Sequence, residues 1–217
     1  MPFPTTAVID NFNRADGQAS FTGGGWTNQI LGANSGTLTI ASNQLAVFTN
    51  GTGESSSAWY NTATYGPNCE VYCTVPVKAG LGNPTELYAR VQSPGSAAMD
   101  GYGVYLWDDA GTDFFEVART DNGVRTVLGA TISQEYAAGD SFGMSIIGST
   151  IEVWYKPSAG AWTSLGTRTD STYSSAGYLG VGMWFSAGRV DDFGGGTVVG
   201  TLPSDTPFPP LGRGATW

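Results

Sequence analysis

The chain has 217 residues, with 18 acidic and nine basic side chains and a formal net charge of −9. Charged residues make up only 12% of the sequence and aromatic residues another 12%, and there are 32 glycines. This composition excludes a disordered chain, which is rich in charge, and a coiled coil, which needs long runs of Ala, Glu, Lys and Leu. With no run of about 18 apolar residues, a transmembrane helix is also excluded.

The distribution of charge narrows the set of partners. Lys and Arg form no cluster, so we expect no nucleic-acid partner and no attraction to an anionic membrane. Histidine is absent, which removes the commonest general base near neutral pH and the commonest zinc ligand. Any hydrolytic mechanism would have to use carboxylates, Tyr, Lys or Ser.

The first residues of the chain, MPFPTT, contain neither a basic region nor an apolar core. We therefore expect no secretion signal here, and we treat residues 1–7 as an N-terminal extension. The expectation is a protein made in a cytoplasm that nevertheless has the polar, lysine-poor surface of a protein working outside cells.

Short stretches that alternate apolar and polar residues follow one another between turn residues, which predicts an all-β protein. They arrive every 8 to 12 residues, and about 14 strands fit one two-sheet antiparallel sandwich over residues 8–200. Asn122-Gly123 is the strongest hairpin signal among the turns. The predicted strands are 37–40, 44–48, 70–77, 86–92, 102–107, 114–120, 125–128, 142–147, 151–155, 162–167, 178–185 and 189–193.

The two cysteines, Cys69 and Cys73, fall in one of these predicted strands. Residues four apart in a strand share a face but lie about 13 Å apart, whereas a disulfide needs Cα atoms within about 7 Å. Without histidine the pair is also a poor metal site. We expect two small apolar side chains in one buried face.

Aromatic side chains supply the candidate binding residues, because sugar rings stack on aromatic faces while charged groups bind hydroxyls. Alternation places Tyr88 and Arg90 on one strand face, and Tyr105 and Trp107 on one face of another strand. We select these four residues together with Asp108 as candidate glycan ligands. The alternative is that the aromatic rings are core residues with hydrogen-bonded polar atoms.

The last segment, 201–217, contains four prolines and no strand pattern, which predicts an extended, polyproline-like C-terminal arm. Its large side chains, Phe208, Leu211 and Trp217, and the cation of Arg213 suit docking on this domain or on a partner. The alternative is a disordered tail.

Two groups of residues resemble a known pattern. The first is IDNFNRADG at 9–17 with Trp26-Thr27, and the second comprises 138–142, 151–154, 170–171, 177–180 and 190–193. Together they resemble concanavalin-A-like lectin/glucanase (laminin-G-like) jelly rolls over about residues 8–196. Domains that begin with a motif of the DxFNRADG kind are frequent in virion proteins of tailed phages and also occur in secreted bacterial carbohydrate-active proteins.

The resemblance implies a two-sheet antiparallel jelly-roll sandwich and, in many members, a structural calcium ion near acids of the first and last strands. Asp10 and Asp192 are the matching acids here, although they also suit turn capping. No other cofactor is implied. The glucanases of this fold carry a closely spaced Glu-x-Asp-x-x-Glu series, and the jelly-roll lyases use histidine. This sequence has neither, so we expect that the protein is not an enzyme.

Two functions fit these observations. The first is a phage virion protein (a capsid decoration, fibre or tail-tip subunit) located on the particle. It would be anchored to other virion proteins by the arm, assembled as a homo-oligomer, and able to hold a host surface polysaccharide. The alternative is a stand-alone carbohydrate-binding module or a weak glycan-active enzyme of a bacterium. Fold alone does not decide between them.

Overall fold

A computed structural model describes residues 2–28, 36–49, 55–184 and 187–199, and within them the chain is nearly all β. The elements are β1 Val8–Asp10, α1 Gln18–Gly23, β2 Trp26–Asn28, β3 Thr37–Ala41, β4 Gln44–Thr49, β5 Ser56–Tyr60, β6 Cys69–Val77, β7 Asn83–Gln92, β8 Asp100–Asp108, β9 Phe114–Asp121, β10 Val124–Val127, β11 Ile132–Ser133, β12 Ser141–Ile147, β13 Thr150–Lys156, β14 Thr163–Thr169, β15 Tyr178–Met183 and β16 Arg189–Thr197. No helix in these ranges is long and apolar enough to span a membrane.

The strands form two antiparallel sheets of eight strands each. Sheet A has the order β14-β13-β12-β6-β16-β4-β3, with β1 paired to β16. Sheet B has the order β10-β9-β8-β7-β15-β5-β2, with β11 paired to β9. Most neighbours are distant in sequence, so the sandwich is held together largely by long-range pairing. The predicted two-sheet antiparallel jelly-roll sandwich is confirmed.

The core lies between the inner faces of the two sheets. Val71, Cys73 and Val75 of β6 face the interior and are fully buried, as their alternation predicts. Tyr102 and Val104 of β8 enter the same core from sheet B. Burial of apolar surface contributes about 25 cal/mol per Å², and this single core is the main source of stability.

The predicted hairpins are confirmed where turn chemistry is strong. Ser42 and Asn43 both have positive φ, as do Asn122 and Gly123, and each pair closes a two-residue turn between paired strands. This backbone geometry matches the twist of an antiparallel hairpin. The elements α1, β1, β2, β5 and β11 were not predicted, because these short segments are defined by distant partners and not by local pattern.

Both cysteines are free thiols and buried, so the prediction of small apolar side chains in one buried face is confirmed. The arm 201–217 lies outside the described residues, and so do its candidate docking side chains Phe208, Leu211, Arg213 and Trp217. Residues 2–7 lie against sheet A, where Phe3 is buried and its ring stacks on Trp154 with centroids 4.9 Å apart.

Strand β7 carries a β-bulge at Arg90, where φ is +51°. Its register with β8 shifts between Ala89 and Gln92. A bulge inserts one extra residue and reverses the alternation of side chains beyond it. Val91 therefore packs with Tyr88, and Arg90 leaves the face that Tyr88 occupies.

The surface position predicted for Arg90 is wrong. The side chain is fully buried, and its guanidinium donates hydrogen bonds to the carbonyl oxygens of Pro67 at 2.7 Å, Tyr173 at 2.8 Å and Gly148 at 2.9 Å. Arg90 thus ties together three loops of the sandwich by satisfying their carbonyl groups.

Candidate functional site

The outer face of sheet B, opposite the core, carries the candidate site. Cross-strand pairing aligns Glu86 of β7, Tyr105 of β8 and Glu116 of β9 in one row across this face. Trp107 pairs with Phe114 in the next row. Alternation had placed Tyr105 and Trp107 on one face, and the structure confirms it.

Three half-buried rings, those of Trp184, Trp107 and Phe114, form a continuous band that we call the aromatic strip. The Trp107 and Phe114 rings stack with centroids 5.9 Å apart and planes 15° apart. The Trp184 ring lies 6.2 Å from Trp107 at a tilt of 57°. Partly exposed aromatic faces of this kind can stack on an apolar or sugar-ring face.

A carboxylate and a guanidinium flank the aromatic strip. Trp107 donates its indole N–H to Glu116 at 2.8 Å, and Arg125 forms an ion pair with the same carboxylate. The Arg125 guanidinium also lies over the Tyr105 ring, 4.4 Å from the centroid. This contact holds the cation beside the strip, where it is one-third exposed and able to bind hydroxyl groups.

Beneath this surface lies a buried acid. Glu86 is 1% exposed, and Tyr88 donates a hydrogen bond to its carboxylate. Burial raises the pKa of Glu86 to about 7, although hydrogen bonds from Tyr88, Ser55 and Trp184 favour the charged form. The pKa of Tyr88 is also raised well above its ordinary value by burial and by the Glu86 charge.

Glycines on this face allow the side chains to lie flat against the sheet. A Cβ at Gly182 would stand 2.5 Å from a Glu86 carboxylate oxygen, and a Cβ at Gly103 would stand 2.9 Å from the Tyr105 ring. Both distances are shorter than a van der Waals contact. The absence of a side chain at these two glycines therefore leaves space for the Glu86 carboxylate and the Tyr105 ring.

Most of the candidate glycan ligands are less exposed than predicted. Tyr88, Arg90 and Tyr105 are buried, so the expectation that Tyr88 and Arg90 are surface residues is wrong. Asp108 is also buried, and its carboxylate pairs with Lys78 at 3.0 Å. Of the five predicted residues, Trp107 alone has a substantial exposed surface. Tyr88 and Tyr105 are buried in a small cluster with Val91 and Met99 on the outer face of sheet B, which agrees with the alternative that these rings are packed and not exposed.

The predicted calcium acids do not fit a cation. The Asp10 carboxylate accepts hydrogen bonds from Arg14 at 2.7 and 2.9 Å and from the Trp26 indole at 2.7 Å. It also accepts the Phe12 backbone N–H at 2.8 Å, which caps the local turn. Because a guanidinium already neutralises the carboxylate, a calcium ion would have to displace it. Asp192 is exposed on β16. No group of three or more acidic or cysteine side chains among the described residues is arranged to hold a metal.

Four residues of the site were not predicted from the sequence: Glu86, Phe114, Glu116 and Arg125. Trp184 was not among the predicted glycan ligands either. A usable signal existed in the predicted strands, because pairing 102–107 with 114–120 across a hairpin places Trp107 opposite Phe114 and Tyr105 opposite Glu116. The position of Glu86 depends on a long-range pairing that no local pattern shows.

Comparison with known proteins gives the fold. No protein-family model and no curated protein matches the chain. A legume lectin-like domain from Entamoeba histolytica matches with a TM-score of 0.60 and 12% identity, over 81% of this chain and 91% of that chain. The CBM2 module of the Lactobacillus casei BL23 phage J-1 evolved Dit matches with a TM-score of 0.56 and 15% identity, over 88% and 95%.

A third structure is the exoplasmic/lumenal domain of VIP36 in its Ca²⁺/Man3GlcNAc-bound form, with a TM-score of 0.56, 13% identity, and coverage of 83% of this chain and 87% of that chain. At these identities the similarity shows the fold alone. The chain thus has a lectin-like jelly-roll fold, which it shares with a legume lectin-like domain, with the Man3GlcNAc-bound VIP36 domain and with a module of a phage protein.

Proposed function

We propose that this chain is a non-enzymatic, glycan-binding subunit of a tailed-phage particle, and that the aromatic strip on sheet B is its glycan site. The observation that carries the proposal is the contiguity of Trp184, Trp107 and Phe114 beside the Glu116–Arg125 ion pair. Stacked rings suit the C–H faces of a sugar, and the paired charges suit its hydroxyl groups.

We propose no catalytic role because the two acids on this face, Glu86 and Glu116, are already held in contacts within the fold. Glu86 is buried beneath the face and held by Tyr88. Glu116 accepts a hydrogen bond from the Trp107 indole N–H and forms an ion pair with Arg125. Glycoside hydrolysis needs two carboxyl groups that reach the scissile bond from either side, and neither of these is free to do so beside the strip.

The virion part of the proposal draws on two observations. The IDNFNRADG motif at 9–17 resembles the start of phage virion jelly rolls, and a phage Dit module is among the similar folds. The particle would hold the chain through the arm 201–217, as one of several copies related by symmetry. The glycan would then be a polysaccharide of the host surface.

Binding to polysaccharide tests the site directly. We would measure co-sedimentation with purified bacterial cell walls and binding to a glycan array, for the native chain and for Trp107→Ala. Loss of a stacking ring should weaken binding at least about tenfold. Phe48→Ala is the matched control, because Phe48 is an aromatic residue of sheet A that is 59% exposed.

Thermal unfolding of both variants would confirm that they fold. Equal binding by Trp107→Ala and the native chain, or no binding to any bacterial glycan, would overturn the site. Mass spectrometry of purified particles tests the virion role separately. We expect the full chain in the particle and a chain truncated at Gly200 to be missing from it, and normal incorporation of the truncated chain would remove the anchoring role of the arm.

A further inference from the structure

A pocket lies on the outer face of sheet A, under the N-terminal segment, and is separate from the aromatic strip of sheet B. Its cavity volume is about 60 Å³ and it is open to solvent on one side, so it has room for the end group of a small ligand whose remaining atoms extend into solvent. The residues that line it include Phe3, Thr5, Glu70, Ser145, Glu152 and Trp154.

The N-terminal segment forms one wall because it is firmly attached to the sheet. Phe3 stacks on Trp154 with centroids 4.9 Å apart and planes 1° apart, and its edge meets Trp162 at 4.8 Å. Tyr72 donates a hydrogen bond from its hydroxyl group to the carbonyl oxygen of Thr6 at 2.9 Å. These contacts hold the N-terminal segment in place, and the rings of Phe3 and Trp154 form part of the pocket wall.

Glu70 lies at the base of this pocket and is 2% exposed. Its Oε1 accepts four hydrogen bonds, from the backbone N–H and the hydroxyl of Thr5 and of Thr6, at 2.6 to 3.1 Å. Its Oε2 accepts no hydrogen bond from any residue in the described part of the chain. Oε2 is not among the fully enclosed side-chain atoms that lack a partner, so it is open to the pocket that Glu70 lines and can accept a hydrogen bond from a ligand there.

A second carboxylate stands across the pocket. Ser145 of β12 pairs with Glu70 of β6 on one side and with Glu152 of β13 on the other, so the three side chains form one row across sheet A. Glu152 is half-buried and forms no hydrogen bond or ion pair with any described residue. Trp154 donates its indole N–H to the Ser145 hydroxyl at 3.0 Å and so holds its ring beside the row.

These groups define the ligand by charge and shape. Two carboxylates that lack a cationic partner attract a positive charge, and no Lys or Arg among the described residues lines the pocket. The open oxygen of Glu70 can accept a hydrogen bond from a ligand, and the part of the Trp154 ring that Phe3 does not cover favours a cation or a C–H group. An ammonium group supplies both the charge and several N–H donors.

We propose that this pocket binds a primary ammonium group carried on a small aliphatic or sugar molecule. Glu70 and Glu152 accept hydrogen bonds from the ammonium group, and the rings of Phe3 and Trp154 contact the carbon atoms next to it. The inference does not depend on the aromatic strip, because the two surfaces belong to different sheets.

The test uses the full chain labelled with ¹⁵N and follows the indole N–H signal of Trp154, assigned by its loss in Trp154→Phe. The probes are n-butylamine and glucosamine, which carry the ammonium group, and glucose and N-acetylglucosamine, which lack it. We expect either or both amines to shift the signal in a saturable manner. An effect of one amine alone identifies the carrier as aliphatic or sugar.

Glu152→Gln removes one carboxylate without removing a contact of the fold, and should weaken amine binding at least about tenfold. Glu135→Gln is the matched control, because it removes one negative charge from an exposed residue outside the pocket and should leave binding unchanged. The proposal is overturned if neither amine binds, if glucose or N-acetylglucosamine binds equally well, or if Glu152→Gln binds the amines as the native chain does.

Discussion

Tyr88 donates a hydrogen bond from its hydroxyl group to the carboxylate of Glu86, two residues earlier on β7, and both side chains are buried on the outer face of sheet B. Burial removes the carboxyl group from water and therefore disfavours its charged form. Loss of the Glu86 proton places a negative charge in this buried position. The protonation state of Glu86 therefore affects the free energy of unfolding.

The first prediction concerns the pH dependence of stability. Burial raises the pKa of Glu86 from 4.5 to about 7, so between these values the native state binds more protons than the unfolded state. The free energy of unfolding should therefore fall as pH rises from about 4.5 through about 7, by an amount of the order of 3 kcal/mol from this group. Urea unfolding of the native chain and Glu86→Gln at several pH values measures it.

In Glu86→Gln this contribution should be absent, so the difference in stability between the two proteins should change across the same window. Glu135→Gln, which removes an exposed carboxylate, should leave the profile of the native chain intact. A constant difference between Glu86→Gln and the native chain at all pH values would contradict a raised pKa at Glu86.

The second prediction concerns Arg90. Arg90→Ala would leave the carbonyl groups of Pro67, Gly148 and Tyr173 without their donor and open a cavity where the side chain is fully buried. We expect a loss of about 3 to 5 kcal/mol in the free energy of unfolding. Chemical denaturation at pH 7 would show it as a lower midpoint.

Arg125→Ala serves as the comparison for Arg90→Ala. Arg125 forms a partly exposed ion pair, and its removal should cost less than about 1 kcal/mol. Similar losses in the two variants would mean that the buried guanidinium contributes no more than a surface charge.

The third prediction concerns attachment of the N-terminal segment. A Cβ at Gly143 would stand 2.7 Å from the ring of Phe3 and 2.6 Å from the carbonyl oxygen of Val71. Gly143→Ala should displace Phe3 and cost about 1 to 3 kcal/mol, with faster hydrogen exchange in residues 2–7. Gly23→Ala, at a site with no atom within 4 Å, should leave that exchange as it is. Equal exchange in the two variants would show that Phe3 does not depend on this glycine.

The fourth prediction concerns calcium. The Asp10 carboxylate already binds Arg14 and the Trp26 indole, so calcium at millimolar concentration should not raise the melting temperature through this site. A ligand that binds the native state alone would raise it in proportion to RT ln(1 + [L]/Kd). Differential scanning calorimetry with calcium and with a chelator makes the measurement. A calcium-dependent rise that disappears in Asp10→Asn would mean that the ion displaces Arg14.

The fifth prediction concerns the thiols. Burial raises the pKa of Cys69 to about 11 and that of Cys73 well above its ordinary value. The thiolate is the reactive form, so neither cysteine should react with a thiol reagent at pH 8 in the native protein. Both should react after denaturation. Rapid modification of the native chain would show that β6 opens to solvent.

Local chemistry in the sequence determined the fold class and many of the strands. Period-two alternation places Val71, Cys73 and Val75 in the core, and turn residues such as Asn122 and Gly123 adopt positive φ wherever a tight hairpin is needed. These preferences act over a few residues and therefore appear in the sequence itself.

Tertiary structure alone decided the composition of the candidate site and the position of Arg90. Glu86 and Glu116 are 30 positions apart and meet in one row only through the register of three strands. The bulge that turns Arg90 inward is stabilised by carbonyl groups of distant loops. Register and bulges depend on partners that are remote in the chain, and for that reason alternation predicted the faces of β8 correctly and the end of β7 wrongly.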